Sequence, residues 1–266
     1  MASTFSVKNY FKKIYSPEVL VAFYKQHNIT ALFEVTESTP RKNVVGMFVD
    51  FYNTLSPEEK IEIQEKLVLI NSISTKYSSA IISSLLKEKK LSEVTQLECV
   101  SDHDKVLYHY MFNLEVFNDA LFFHDFYSSR GYMLYEAKEV TLLEADLSMT
   151  ALKKEFTRIA NKEDNATECE YEYKALDGLL YFAMTFDGTS VLANAQEKNT
   201  RARRKELVKI VYLPTDKEIL ISYTGSKYEK LIFLDTFLRV VCASGYGGKV
   251  ESFDLSCFSN TDFDFR

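Results

Sequence analysis

Residues 168–186 read ECEYEYKALDGLLYFAMTF, and they decide the fold of the second half of the chain. From 168 to 173, glutamates alternate with a cysteine and two tyrosines, which is the two-residue period of a half-buried strand. Asp177-Gly178 is a dipeptide favoured in two-residue hairpin turns, and an apolar run follows it up to Phe186. The stretch therefore predicts an antiparallel β-hairpin.

Other elements of the second half follow from the same periodicity. Asp187-Gly188 repeats the turn dipeptide and predicts a second hairpin turn. We expect strands at residues 132–138, 207–213 and 218–223, and helices at residues 143–160 and 228–242.

The first half of the chain has helical spacing instead. Ser56 and Glu59 have the spacing of a capping box. Behind them, apolar residues recur every three, four or seven positions as far as Leu85, and serines near Thr75 predict a break there. Another helix is expected over residues 104–127, where the density of aromatic residues indicates burial on more than one side.

The predicted fold class is α+β, with an N-terminal helical bundle packed on a C-terminal, mainly antiparallel sheet that carries two helices. The change of period sets the domain boundary near residue 130, so the expected domains are residues 1–130 and 131–266. No Gly/Ser/Pro-rich linker marks the boundary, which favours two parts that pack together.

The composition excludes several classes of protein. The chain has 266 residues, 46% hydrophobic and 26% charged, with a net charge of −6. It therefore lies outside the disordered range and lacks the basic excess typical of nucleic-acid coats and membrane-surface proteins. Its four cysteines form no Cys-x-x-Cys pair, which predicts reduced thiols.

The same composition favours a compartment and a source. No stretch has the roughly 18 apolar residues of a membrane span, and the first residues lack the apolar region of a signal peptide. We expect a cytoplasmic protein that binds no cofactor and no membrane. Lysine (24) exceeds arginine (8) threefold, which favours a bacterial or phage source, such as a phage-defence locus.

The first candidate site is a group of histidines and aspartates in the third predicted helix. His103-Asp104 and His124-Asp125 resemble the paired metal ligands of HD-type phosphohydrolases, in which divalent ions activate a water for attack on phosphate. A continuous helix separates His103 from His124 by about 31 Å, so one metal binds both only if the helix breaks. His109 belongs to another face. The alternative is helix capping and ordinary, partly buried histidines.

The second candidate site is a basic cluster. Arg201, Arg203, Arg204 and Lys205 include three of the eight arginines of the chain, and the guanidinium group suits phosphate. If the cluster is a binding site, we expect it to bind the phosphate backbone of a nucleic acid. Four cations are few, however, because useful affinity normally needs roughly six or more phosphate contacts.

A third pattern is acidic. Glu168, Glu170 and Glu172 occupy one face of a strand, where they could bind Mg²⁺. The segment 201–205 repeats the same period with the opposite charge. We therefore expect the two segments to be neighbouring strands joined by cross-strand ion pairs.

Residues 245–249, GYGGK, superficially resemble a phosphate-binding loop. Such a loop follows a strand, precedes a helix and has Ser or Thr after its lysine, whereas here a helix comes first and Val250 follows the lysine. A helix end and a turn are expected instead. The sequence predicts no catalytic residue.

Aromatic residues and the end of the chain favour a binding role. Several rings lie in segments of weak periodicity; most of them should fill the core, and any at the surface would favour protein contacts. They are Phe11, Tyr15, Phe48, Phe51 and Tyr52. Residues 253–266 keep an extended aromatic and acidic pattern up to the last residue, which fits an edge strand or part of a longer polypeptide.

The leading interpretation is a non-enzymatic protein-interaction or assembly subunit. It would bind another protein or a second copy of itself, with strand addition at the C-terminal edge strand as one route. The alternatives are a nucleic-acid-associated accessory protein that uses Arg201–Lys205 and a divalent-metal phosphohydrolase that uses the His-Asp helix.

Overall fold

The computed structural model describes residues 5–27, 29, 36, 38–91, 99–129, 131–136, 145–160, 169–193, 200–224, 227–241 and 250–251. It confirms the α+β fold class, with helices in the N-terminal part and an antiparallel sheet with two helices in the C-terminal part. The chain divides into two compact units, residues 1–128 and 129–266.

The first unit is helical in the ranges that the structure describes. Its helices are α1 (Val7–Phe11), α2 (Pro17–Gln26), α3 (Arg41–Thr54), α4 (Pro57–Ile73), α5 (Lys76–Glu88), α6 (Asp102–Phe112) and α7 (Leu114–Ser128).

Hydroxyl side chains start most of these helices. At the N-caps, side-chain oxygens accept a hydrogen bond from the backbone N–H three residues later, which satisfies one of the free N–H groups of the first turn. The predicted capping box of Ser56 and Glu59 is confirmed, with both reciprocal hydrogen bonds present. The break predicted near Thr75 is also confirmed. Helix α4 ends at Ile73, and the Thr75 side chain caps the start of α5.

The core of the first unit is rich in aromatic rings. Phe11 and Phe48 are fully buried and stack with their ring centroids 3.8 Å apart, and Phe23 contacts both of them. The expectation that rings of weak periodicity fill the core is confirmed for Phe11 and Phe48. Tyr15 is different, because 54% of its surface is exposed.

The predicted single helix over residues 104–127 is wrong, because two helices meet at Asn113. The backbone of Asn113 leaves the helical region with φ −146° and ψ 70°. Its side-chain oxygen accepts a hydrogen bond from the N–H of Val116 at 3.3 Å, so Asn113 ends α6 and caps α7. Apolar periodicity continues across this break, which is why the sequence pattern predicts one helix.

The second unit is built on one sheet. Its described elements are β1 (Met133–Glu136), α8 (Ala145–Ala160), β2 (Cys169–Leu176), β3 (Leu179–Ala193), β4 (Thr200–Leu213), β5 (Glu218–Tyr223), α9 (Lys227–Val241) and β6 (Val250–Glu251). The strand order is β2-β3-β4-β5-β1-β6, and every recorded pair is antiparallel. A single apolar core contains side chains of both helices and of the strands from β2 to β5 and β1.

Two Asp-Gly dipeptides have different structures. Asp177 and Gly178 have φ +51° and +77°, and they connect β2 to β3 as the sequence predicts. The predicted turn at Asp187-Gly188 is wrong, because β3 continues through it to Ala193. Asp187 pairs with Lys205 and Ser190 with Arg203, so the register with β4 shifts at Gly188 and Thr189, and the strand is irregular there.

Candidate functional site

Helix α4 has apolar side chains on two opposite faces. Leu67, Ile70 and Ile73 are buried in the first unit. Ile61, Val68 and Leu69 are 58%, 41% and 39% exposed. At 100° per residue, Ile61 and Val68 lie about half a turn around the helix from Ile70, whereas Leu69 lies at the edge between the two faces. One face therefore builds the core, while the other leaves apolar surface in water.

The exposed side of α4 also carries acidic residues, and we define the α4 face by its exposed members Glu58, Ile61, Glu62, Glu65, Val68 and Leu69. An open depression of about 490 Å³ lies on this helix, lined by Ile61, Gln64, Glu65, Val68, Leu69 and Ser72. Lys66 forms an ion pair with Glu62 at 2.5 Å. The result is an apolar stripe with an acidic rim, and sequence reasoning missed it. The seven-residue spacing of Ile61 and Val68, which places both on one helix face, is the sequence feature that could have predicted it.

A second exposed apolar surface surrounds Tyr15. We define the Tyr15 patch as Lys12, Lys13, Tyr15, Arg41 and Val100. Val100 is 66% exposed. The Arg41 guanidinium carbon lies 4.3 Å from the centre of the Tyr15 ring, and its Nε donates to the carbonyl of Ile14 at 2.7 Å. This cation–π contact gives the patch a positive charge beside its apolar surface.

Asp104, a predicted metal ligand, holds the Tyr15 patch together. The side chain is fully buried. Its Oδ1 accepts hydrogen bonds from the backbone N–H groups of Tyr15 (2.8 Å) and Ser16 (3.1 Å). Its Oδ2 accepts from the backbone N–H groups of Val100 (3.1 Å) and Ser101 (2.7 Å), and from the Ser101 hydroxyl (2.9 Å). Five donors therefore occupy the oxygens that a metal would need.

The other predicted metal ligands have separate surroundings. His103 lies beside Tyr10, with ring centroids 6.1 Å apart, and burial followed by the charge of Lys13 lowers the pKa of His103. The Nδ1 of His124 is 3.0 Å from the Ser78 hydroxyl. Asp125 is exposed. In the described ranges, no three His, Cys, Asp or Glu side chains form a group that could hold a metal ion, and the metal site stays a prediction that these contacts do not favour.

His109 is a buried histidine that the sequence places on a different helix face from His103 and His124. It is 2% exposed, and neither ring nitrogen has a hydrogen-bond partner among the described residues. Burial lowers its pKa to about 4, and the charge of Lys105 adds to this effect. The ring is therefore neutral near pH 7, and it packs nearly perpendicular to the Tyr108 ring with the ring centroids 5.2 Å apart.

The basic cluster lies on a two-stranded part of the sheet. Arg201, Arg203, Arg204 and Lys205 belong to β4, and their backbone pairs with β3 between Asp187 and Leu192. Strand β2 pairs with β3 only as far as Phe186, and strand β5 pairs with β4 only as far as Val208. Among the described residues, the cluster therefore occupies a β-ribbon that no third strand flanks.

The expected pairing of acidic and basic strands is wrong. Strand β2 and strand β4 lie on opposite sides of β3, so they are not neighbours. Glu172 is paired in register with Ala183, and its carboxylate contacts Lys174 of its own strand at 2.8 Å. Glu170 is exposed and is paired with Thr185. Charge alternation cannot fix strand order, because it matches any strand of suitable length.

Some predicted features lie outside the described residues. These are Glu168, the glycine-rich segment 245–249 and the C-terminal segment 253–266, and the edge-strand route therefore stays untested. Strand β6, which precedes that segment, pairs with β1 at one edge of the sheet.

No protein-family model matches the chain, and no curated protein matches it. In the described ranges, no helix has both the length and the apolar character needed to cross a bilayer.

Proposed function

We propose that this chain is a non-enzymatic protein-interaction or assembly subunit that binds its partner through the α4 face. The observation that carries this proposal is the exposed apolar stripe of Ile61, Val68 and Leu69 on a helix that is already packed through its other side. Apolar side chains of this size, clustered on one helix face, favour protein contacts.

The charge of the α4 face selects the chemistry of the partner. Glu58, Glu62 and Glu65 flank the stripe, and Lys66 is already engaged with Glu62. The partner surface should therefore combine apolar side chains with Lys or Arg at its rim, because opposite charges steer association and like charges reject wrong partners. Covering the three half-exposed apolar side chains contributes about 3 kcal/mol before the entropy cost of association, which fits a weak or transient complex.

Site-specific photocrosslinking in the native cell tests this function. A photoreactive phenylalanine analogue at Val68 should give a protein adduct, whereas the same analogue at Asp50, exposed on α3, should give none. Val68→Glu should abolish the complex with little change in the melting temperature, since Val68 is 41% exposed and lies outside the buried core. Equal labelling from positions 50 and 68, or no adduct from position 68, contradicts the proposal.

A second candidate function is nucleic-acid association through the β-ribbon. The observation that favours it is the position of Arg201, Arg203, Arg204 and Lys205 on a two-stranded antiparallel ribbon. A ribbon of this kind fits the major groove of DNA, and arginine matches phosphate.

Salt-dependent binding tests this alternative. Single-stranded and duplex DNA and RNA should bind more weakly as the salt concentration rises, and the double reversal Arg203→Glu/Arg204→Glu should abolish binding. Lys153→Glu/Lys154→Glu on α8 is the matched control, because both lysines are exposed in the same unit. Equal losses in the two double variants would indicate an effect of net charge alone and exclude a site on the ribbon.

A further inference from the structure

The α4 face and the Tyr15 patch are complementary surfaces of the same unit. Each combines exposed apolar side chains with charge, and the charges have opposite signs. The α4 face carries Glu58, Glu62 and Glu65, whereas the Tyr15 patch carries Lys12, Lys13 and Arg41. These three cations stand beside two partly exposed carboxylates, Glu18 and Asp102, while a third carboxylate, that of Asp104, is buried beneath the patch and accepts five hydrogen bonds. The Tyr15 patch therefore has the partner chemistry that the α4 face requires.

The Tyr15 patch is held in one arrangement by contacts from two sides. Arg41 donates from its guanidinium to the backbone carbonyls of Lys12 and Ile14 and covers the Tyr15 ring. Asp104 fixes the backbone N–H groups of both Tyr15 and Val100. A surface whose backbone is already fixed loses little conformational entropy on binding.

The two surfaces share a border. Lys13 Nζ donates a hydrogen bond to the side-chain oxygen of Asn71 at 3.1 Å, and Asn71 follows Val68 by three residues on α4. Because they lie side by side, the two surfaces cannot cover each other within one copy. A two-fold axis near this border would bring each surface of one copy against the other surface of a second copy.

From this arrangement we propose that the partner is a second copy of the chain, bound as a two-fold symmetric dimer in which each α4 face contacts the Tyr15 patch of the other copy. The inference rests on the proposed interaction function and names its partner. Two equivalent contacts form at once, so two small surfaces combine into one interface. Because both surfaces are small, the combined interface belongs to the weaker class of protein complexes.

Sedimentation velocity on the full chain, from about 1 to 300 μM, tests the dimer. The wild type should show a concentration-dependent dimer. Glu65→Lys and Lys12→Glu should each raise the dissociation constant by about tenfold or more, because each places like charges at both symmetric contacts. The double variant Glu65→Lys/Lys12→Glu should return the dissociation constant toward that of the wild type, since both contacts again join opposite charges.

Both positions are exposed, so unchanged thermal melts establish that the variants fold. Wild type that stays monomeric up to the highest concentration overturns the inference, as do single variants that dimerise like the wild type. A mass above that of a dimer, growing with concentration, overturns the closed two-fold arrangement.

Crosslinking of purified protein separates this inference from the proposed function. With the photoreactive analogue at Val68 in a mixture of ¹⁴N- and ¹⁵N-labelled chains, mixed-label crosslinks to residues 12–15 or 100–101 support the two-fold dimer. Links within a single chain are expected at the shared border and carry no weight, so a purified chain that gives no mixed-label crosslink overturns the dimer. An adduct in cells with a different protein, together with a monomeric purified chain, overturns the dimer and leaves the proposed function standing.

Discussion

Replacing His109 with leucine should stabilise the helical unit, and the gain should grow as the pH falls. The wild-type ring is 2% exposed, and its two nitrogens lack hydrogen-bond partners among the described residues. Burying such polar atoms unpaired costs about 1–3 kcal/mol. Leucine removes them at similar volume, so the free energy of unfolding at pH 7 should rise by about 1 kcal/mol after some loss of packing.

The pH dependence follows from the lowered pKa of His109. In the unfolded chain the imidazole has its ordinary pKa of 6.5 and is protonated below that pH. In the folded protein its pKa is about 4, so it is protonated only near pH 4 and below. Between these values the unfolded state binds more protons, so stability falls as the pH falls through this window. The separation of the two pKa values corresponds to about 3 kcal/mol at pH 4, and the variant should lack this loss.

Urea denaturation between pH 4 and 7.5, read by hydrogen exchange of peptides from α6, measures the effect in the unit that contains His109. The pKa values of His27 and His103 are also lowered, mainly by burial, but both residues remain in the variant and cancel in the difference. His124→Leu serves as the contrast, since it removes one of the two side-chain hydrogen-bond partners that the Ser78 hydroxyl has in the described part of the chain, the other being Thr75, and should destabilise the protein. Parallel stability curves for wild type and His109→Leu would refute the reasoning.

Three further substitutions give expected results that thermal and urea unfolding can check. Asp104→Asn should cost about 2–4 kcal/mol, because an amide accepts fewer of the five hydrogen bonds and turns its own donor toward buried N–H groups. Phe48→Ala should cost about 3–5 kcal/mol, since it opens a cavity at the stacked rings of the core. Gly178→Ala should cost about 1 kcal/mol, because the φ of +77° is strained for alanine although its Cβ would meet no atom within 4 Å.

Matched controls separate these mechanisms from general damage. Asp102→Asn, in the first turn of the same helix as Asp104, should change stability by at most about 1 kcal/mol. Gly46→Ala, inside helix α3 and with free space around its Cβ, should stabilise by about 0.5–1 kcal/mol. Equal effects at Gly46 and Gly178 would show that backbone conformation does not control the result.

Local signals in the sequence predict the elements well. The Ser56–Glu59 capping box, the helix break near Thr75 and the turn at Asp177-Gly178 each depend on residues within a few positions, and the structure confirms all three. The turn predicted at Asp187-Gly188 is wrong because an Asp-Gly dipeptide suits both a hairpin turn and an irregular position within a strand. Strand pairing across the sheet decides between them.

The candidate site is harder to predict, because it depends on which side chains stay exposed after the helices have packed. Ile61 and Val68 have the same chemistry as the buried Leu67 and Ile70, and only the packed unit distinguishes the two faces of α4. The carboxylate of Asp104 likewise looks available in the sequence. Its engagement depends on Tyr15 and Ser16, which lie 89 and 88 residues away along the chain.

That separation has a consequence for the order of events during synthesis. The segment Tyr15–Ser16 leaves the ribosome long before Asp104 does, yet its backbone N–H groups are satisfied by that carboxylate. Helix α2 therefore gains its final anchor only after most of the unit has been translated. Contacts this distant in sequence slow folding, so Tyr15 and Ser16, which are made before the rest of this arrangement, should be among its last residues to be fixed in place.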